Sequence, residues 1–287
     1  MIKEAVKSGK SLLRTLAGTL RPSFVVGIPL FIVTLNLMAT YSPSVATTSW
    51  VNGTISAAGK YSIRNELKKG ESLNHLRMIA YEKACTLSFE MIASQIHNIR
   101  IDNAHLLADI LAESEFTKKQ LSHLLQSGIR TSQSPVDFYT SSCTATISMR
   151  ELIKALPFDY PKNDFPLYQS QVQATTYTSL VLDVRGLNFA PMVLPVLLDQ
   201  EGLEIYGKDI IDVTQSAPSG IVYYVYSEEE ARKHKKAGEH PYFTSALKLF
   251  EGNPVLAWDD THRILADKTT REYLRKCRVF FIIDKTE

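Results

Sequence analysis

With 287 residues, 45% hydrophobic and 22% charged, the chain has the composition of a globular protein with room for two ordinary domains. That composition excludes wholesale disorder, a collagen-like fibre and a multi-span membrane protein. The net charge of +2 conceals an asymmetry: residues 1–46 hold Lys3, Lys7, Lys10, Arg14 and Arg21 against one acid, Glu4, and the rest carries 27 basic and 29 acidic residues. The folded part is therefore nearly neutral, and it lacks the basic stripe with interleaved aromatics that nucleic acid requires.

The N-terminal segment reads as an address. After the basic lead, Phe24 to Ala39 runs for 16 residues without a charge. A helix of that length spans about 24 Å, short for a membrane span but suited to the apolar region of a signal peptide. Positive charges precede it, as orientation in a membrane demands. Ser44-Val45-Ala46 supplies small residues at a cleavage position. An uncleaved anchor is the competing reading, since the lead is long and Pro29 interrupts the run. Either way residues 1–46 form a signal peptide or membrane anchor. No cysteine lies near Ala39 or Ala46, so lipid attachment at a new N-terminus has no acceptor.

Residues 47–157 read as one α/β assembly domain. Trp50 to Ile63 has strand character, with Gly53 and Gly59 implying irregularity. Arg64 to Ser72 is a polar loop, and Ser72 is placed to cap a helix. Leu73 to Ile96 is the clearest helix, with Leu73, Leu76, Ala80, Ala84, Leu87 and Met91 at spacings of three and four. A second helix, capped by Asn103, carries Leu106, Leu107, Ile110 and Leu111, and a third over Thr117–Gln126 ends at Gly128 as its C′ residue. Ile129 to Arg150 is β structure, in which Tyr139, Cys143, Ala145, Ile147 and Met149 share one face. Glu151 to Leu156 is a short helix stopped by Pro157. Few strands accompany several helices, so this small sheet has edges to cover. Phe138–Met149 lacks the Lys and Pro that protect an edge and is the expected site of contact with another subunit.

Residues 158–176 lack periodicity, contain Pro161 and Pro166, and read as a linker. Residues 177–287 form a C-terminal mixed α/β domain. Its expected strands are Thr178–Val184, Met192–Leu198, Leu203–Tyr206, Ile221–Tyr226, Val255–Trp258 and Arg278–Asp284. Asp199-Gln-Glu-Gly202 makes a hairpin turn with Gly202 at positive φ. Ser227 caps a helix that opens on Glu228, Glu229 and Glu230, and Asp259 caps another that runs through Ala266. The fold class is mixed, α/β (α+β), in two small domains.

Particular residues of the second unit carry a resemblance. They are Tyr177-Thr-Ser-Leu-Val-Leu-Asp-Val-Arg-Gly186, Pro191, Pro195, Leu198-Asp-Gln-Glu-Gly-Leu-Glu-Ile-Tyr-Gly207, Tyr224 to Ala231, Leu274 to Cys277 and Val279 to Asp284. This stretch resembles the C-terminal domain of the FlgP-like family of flagellum-associated outer-membrane lipoproteins. The helix and β pair of residues 47–157 look like the same family's ring-forming domain. The resemblance implies a non-enzymatic envelope component of the discs and collars around the periplasmic flagellar motor. It implies homo-oligomers and partners among envelope or motor proteins. The missing lipobox cysteine departs from the family and leaves a location in the periplasm, anchored at the inner membrane or associated with the outer one.

Chemistry is sparse. The chain has no GxSxG, HExxH, P-loop or dinucleotide fingerprint, so no catalytic, cofactor-binding or metal residue is assigned, and no cofactor is expected. Asp183-Val-Arg185-Gly186 could bind a polar ligand, but a strand-end Asp and Arg more simply pair with each other or with loop backbone. Trp258-Asp259-Asp260-Thr261-His262 has ligand-type side chains, but neighbours on a helix point in different directions. His75, His97, His105 and His123 fall on polar helix faces, and His234 and His240 flank a Lys-rich stretch. Cys85, Cys143 and Cys277 are too far apart for a zinc motif. They are small buried hydrophobes, or one disulfide and one free thiol in an oxidising compartment. Two function classes follow: a structural assembly protein of the bacterial envelope, and a periplasmic ligand-binding or enzyme-accessory protein.

Overall fold

The computed structural model describes residues 45–64, 72–168 and 174–285. The segment read as a signal peptide or anchor, apart from its last residues, and most of the stretch read as a polar loop after Arg64 lie outside the described residues. The described elements are mixed α+β, as the sequence patterns predict.

The N-terminal half begins with β1 (Thr47–Ser49) and β2 (Thr54–Ser62). Three helices follow: α1 (Leu73–His97), α2 (Leu107–Glu113) and α3 (Glu115–Gly128). The half closes with β3 (Arg130–Pro135), β4 (Thr140–Ser148) and α4 (Met149–Lys154). The four strands form one antiparallel sheet in the order β1-β2-β4-β3. α1 lies across β2 and β4 because it buries Leu76, Ala80, Ala84, Ser88, Ile92 and Ile96, a stripe at four-residue spacing. Small residues in the middle of that stripe bring the helix close to the sheet. The predicted parity holds within β4, where Cys143, Ala145 and Ile147 are buried; Met149 is buried too but opens α4, and Tyr139, just before the strand, is only partly buried.

Several local expectations are corrected. β2 is regular, paired along all nine residues with β4 despite Gly59, and Gly53 lies in the turn before it. Ser72 precedes α1, but its side chain makes no capping bond. Asn103 does not cap α2. Instead Asp102 accepts from the backbone N–H of Ala104 and His105, and Asp109 reaches back to the N–H of Leu106. Gly128 ends α3 as a helical residue, and Ser114 caps that helix at Thr117.

The C-terminal half contains two further sheets. β5 (Ser179–Asp183), β8 (Tyr223–Val225), β9 (Pro241–Ser245) and β12 (Val279–Ile282) form an all-parallel sheet in the order β8-β12-β5-β9. Both central strands read as continuous apolar runs because helices or loops cover both their faces; all of β12 is buried. The smaller sheet, β10-β11-β6-β7, joins β6 (Leu197–Leu198), β7 (Glu204–Tyr206), β10 (Lys248–Phe250) and β11 (Asn253–Val255). The remaining helices are α5 (Glu228–Lys233), α6 (Trp258–Ala266) and α7 (Lys268–Arg275), with a 3-10 turn over Val213–Gln215. Ser227 caps α5 by accepting from Glu230 N–H. Asp259 is not the cap of α6; the helix already includes Trp258, whose N–H donates to Gln200 Oε1.

The hairpin at residues 199–202 is as expected. Buried Asp199 accepts from Glu201 and Leu203 N–H at 2.9 and 2.8 Å. Gly202 has φ of 84°, with nothing within 4 Å of the place a Cβ would take. Gly202→Val therefore costs backbone strain alone, about 1–2 kcal/mol. Thermal unfolding should show a fall of a few degrees, and an unchanged midpoint would remove the requirement for positive φ.

The two halves share one hydrophobic cluster, running from Ile55 and Ile147 through Ile101 and Leu107 to Leu180 and Phe281. Backbone bonds cross between them: Val193 and Leu194 N–H donate to Arg100 and Ile101 carbonyls at 3.0 and 2.7 Å. The described part of residues 158–176 lies along the C-terminal half. Phe165 is buried, Asn163 N–H donates to Asp209, and Tyr168 donates to Asp199 at 2.7 Å. Among the described residues no helix is long and apolar enough to cross a membrane.

Candidate functional site

The N-terminal sheet has two unlike faces. Beneath α1 lie Ile55, Ala57, Cys143, Ala145 and Ile147. The opposite face is mostly small hydroxyls in register, Thr54 beside Ser148, Ser56 beside Thr146 and Ser62 beside Thr140, interrupted on β2 by Ala58 and Lys60, which stand beside Thr144 and Ser142. The rows extend onto β1 and β3, where Thr47 meets Ser56 and Ser132 meets Thr144.

The edge of this sheet differs from the sequence expectation. β4, within the segment expected to be the exposed edge, is internal, paired on one side by β2 and on the other by β3. Strand order is non-local, and the β1–β2 hairpin takes the place beside β4 that a composition argument cannot assign. The sheet ends on one side at the short β1, which pairs with only Thr54–Ser56 of β2, and on the other at β3, whose six residues are all exposed. Among the described residues no strand pairs with its outer side. Val136 N–H donates to Thr140 O at 3.0 Å. Antiparallel pairing alternates, so Ser134, Ser132 and Arg130 face β4 with their backbone groups. Thr131 and Gln133 turn an N–H and a carbonyl outward, and Pro135, which has no N–H, turns only its carbonyl and so closes that end of the edge. At the hairpin tip Val136 and Phe138 are about half exposed, and the Arg77 guanidinium covers the Phe138 ring at 4.3 Å. The arrangement is an open template for another strand.

Asp183 and Arg185 find each other. The guanidinium donates to both carboxylate oxygens, at 2.9 and 2.5 Å, and this holds the Asp183 carboxyl below its ordinary range. Gly186 N–H donates to Asp284 at 3.0 Å. These groups stand at the carboxyl ends of β5 and β12, where open parallel sheets place ligands, but they satisfy one another and fix the strand exits.

The residues 258–262 also serve packing. Asp260 accepts from Tyr242 at 2.6 Å and from the Thr244 hydroxyl. Burial, and then Asp260, raise the Tyr242 phenol well above its usual range. His262 lies between the rings of Trp258 and Tyr168, 4.3 and 4.7 Å away. His75, His97 and His123 are exposed on their helices, as predicted, whereas His105, also exposed, lies not on a helix but in the loop before α2, held by Asp102. His234 packs on Tyr223 and Phe280, and its burial lowers its pKa. His240 contacts the Thr176 carbonyl. Among the described residues no three His, Cys, Asp or Glu side chains are grouped to hold a metal.

The pairing of cysteines is what sequence could not decide. Cys85 on α1 and Cys143 on β4 form a disulfide with Cα atoms 5.0 Å apart. Cys277 is free and buried, and burial pushes its thiol up to about 12, so it stays protonated and inert.

Residues 179–285 match the family model of the second domain of Treponema pallidum Tp0624. The match covers well under half of the chain and coincides with the stretch that carries the flagellar-family resemblance, but it names a different protein. No curated protein matches.

Proposed function

We propose that this chain is an exported, non-enzymatic assembly protein of a bacterial cell envelope, in which the N-terminal sheet pairs with a second copy through β3. On the finer scale we propose a periplasmic disc or collar component associated with the flagellar motor. The observation that carries the assembly reading is the open edge of β3, with outward backbone groups at Thr131 and Gln133 and no covering strand among the described residues. The basic lead and apolar run of residues 1–46 support export, and the Cys85–Cys143 bond fits an oxidising compartment. The flagellar reading rests on the resemblance alone.

The test uses Gln133→Pro. Proline removes a backbone donor, and at Gln133 that donor points away from β4, so the sheet keeps its own bonds. The chain from Ser42 onward should be an oligomer by light scattering. Gln133→Pro should shift it to monomer at a nearly unchanged melting temperature. A parent that is monomeric at tens of micromolar, with no assembly in cells, would end this reading. An oligomer that survives Gln133→Pro would move the contact away from β3.

A further inference from the structure

A cavity of about 510 Å³ lies where α4 and the segment after it meet the 3-10 turn of Val213–Gln215. Its size is that of a small-molecule site. Ile153, Leu156 and Phe158 form an apolar wall. Arg150 and Lys154, four residues apart on one side of α4, bring two cations to it, and among the described residues no acidic side chain lines it.

These cations are weakly engaged. The one hydrogen bond of the Arg150 guanidinium among the described residues is long, 3.4 Å to the Ser216 carbonyl. Lys154 meets Glu151 at 3.0 Å, but both side chains are more than half exposed, and such a pair contributes little and exchanges readily. Tyr160 also lines the space. Burial first, and Cys277 second, push its phenol up to about 12, so it remains a hydrogen-bond donor.

From this geometry we infer that the cavity binds a small amphipathic organic carboxylate, with its head group at Arg150 and Lys154 and its aryl or alkyl body against Ile153, Leu156 and Phe158. A guanidinium holds a carboxylate through two parallel N–H bonds, which gives orientation as well as strength. An inorganic anion would leave the wall uncovered, and a neutral amphiphile would leave the cations with only the weak partners they already have. The cavity is lined from both halves of the fold, and an occupant that binds only the folded chain stabilises it by an amount that grows with the logarithm of free ligand over Kd. This inference is independent of the assembly reading.

The probe is 4-phenylbutyrate, titrated calorimetrically into the full-length chain in lipid nanodiscs, with empty nanodiscs subtracted. Saturable binding with a rise in melting temperature is expected. Acetate and 4-phenylbutan-1-ol, which lack the body and the charge respectively, should each bind at least about ten-fold more weakly. The double variant Arg150→Gln, Lys154→Gln should weaken 4-phenylbutyrate about ten-fold or more and leave the alcohol unchanged. Val213→Trp, at the rim where Val213 is 37% exposed, should weaken both. All three positions are at the surface, and unliganded melting curves check that the variants fold. No saturable binding by the parent at millimolar ligand overturns the inference, as does binding that neither variant alters.

Discussion

Replacing Cys85 and Cys143 by alanine is expected to destabilise the protein by about 4 kcal/mol. The two cysteines are separated by 58 residues. In the chain-entropy account, closing a loop of that length removes about 4 kcal/mol of disorder from the unfolded chain. For a protein of this size each kcal/mol moves the melting midpoint by about 2–4 °C, so a fall of about 8–16 °C should appear by calorimetry. The same fall should appear when the parent is melted in reductant. Alanine is the better replacement, since Cys143 is fully buried and a serine hydroxyl there would need a partner. Identical melting curves with and without reductant would show that the bond contributes nothing. A large dependence has a consequence for location: a chain kept in a reducing compartment would fold with this deficit.

The elements that could be read from sequence are those in which one periodicity is long and unopposed. α1 has 25 residues with a stripe at steps of four, and β12 has four consecutive buried apolar residues. Both were legible because burial dictates the pattern. β9 and β10 were not, since their residues are half or fully exposed and their hydrophobicity does not alternate cleanly. α7 carries no apolar periodicity, since it buries only Thr270 and Leu274 among charged residues. Its start is nonetheless marked, for Asp267 accepts from Thr270 N–H at 2.7 Å, and an Asp three residues before a Thr in a polar stretch was the signal to follow.

Strand order and partner choice were the harder part. The Asp183–Arg185 pair was legible, because two residues at a strand exit can reach each other locally. The partnership of Tyr242 and Thr244 with Asp260 spans 18 and 16 residues and depends on how β9 meets α6. The position of β4 inside its sheet depends on β2, which is about 80 residues earlier in the chain. No feature of Phe138–Met149 taken alone distinguishes an internal strand from an edge strand rich in Thr. The burial of alternate residues is the same for both, and only the pairing separates them.

Gly59 is where helix, sheet and disulfide meet, and Gly59→Ala is expected to be strongly destabilising for so small a change. Gly59 sits on β2 opposite Cys143 of β4 and faces α1. A Cβ there would lie 2.0 Å from the Ala84 carbonyl oxygen and 2.9 Å from the Ser88 nitrogen. Both are backbone atoms of a helix, so no side chain can rotate away. α1 would have to lift from the sheet, although Ala80, Ala84 and Ser88 are small in order to keep it close. Overpacking of this kind costs about 1–3 kcal/mol when neighbours can adjust, and backbone contact places Gly59→Ala at about 3 kcal/mol or above. The midpoint should then fall by about 6–12 °C or more. The neighbouring bond should suffer as well, since a lifted α1 carries Cys85 away from Cys143. Thiol titration of the unreduced variant should therefore find more than the single free cysteine of the parent. The two effects share one contact, so Gly59→Ala combined with loss of the disulfide should cost less than the sum of both. A Gly59→Ala protein that melts with the parent and keeps its disulfide intact would mean that α1 does not approach β2 this closely.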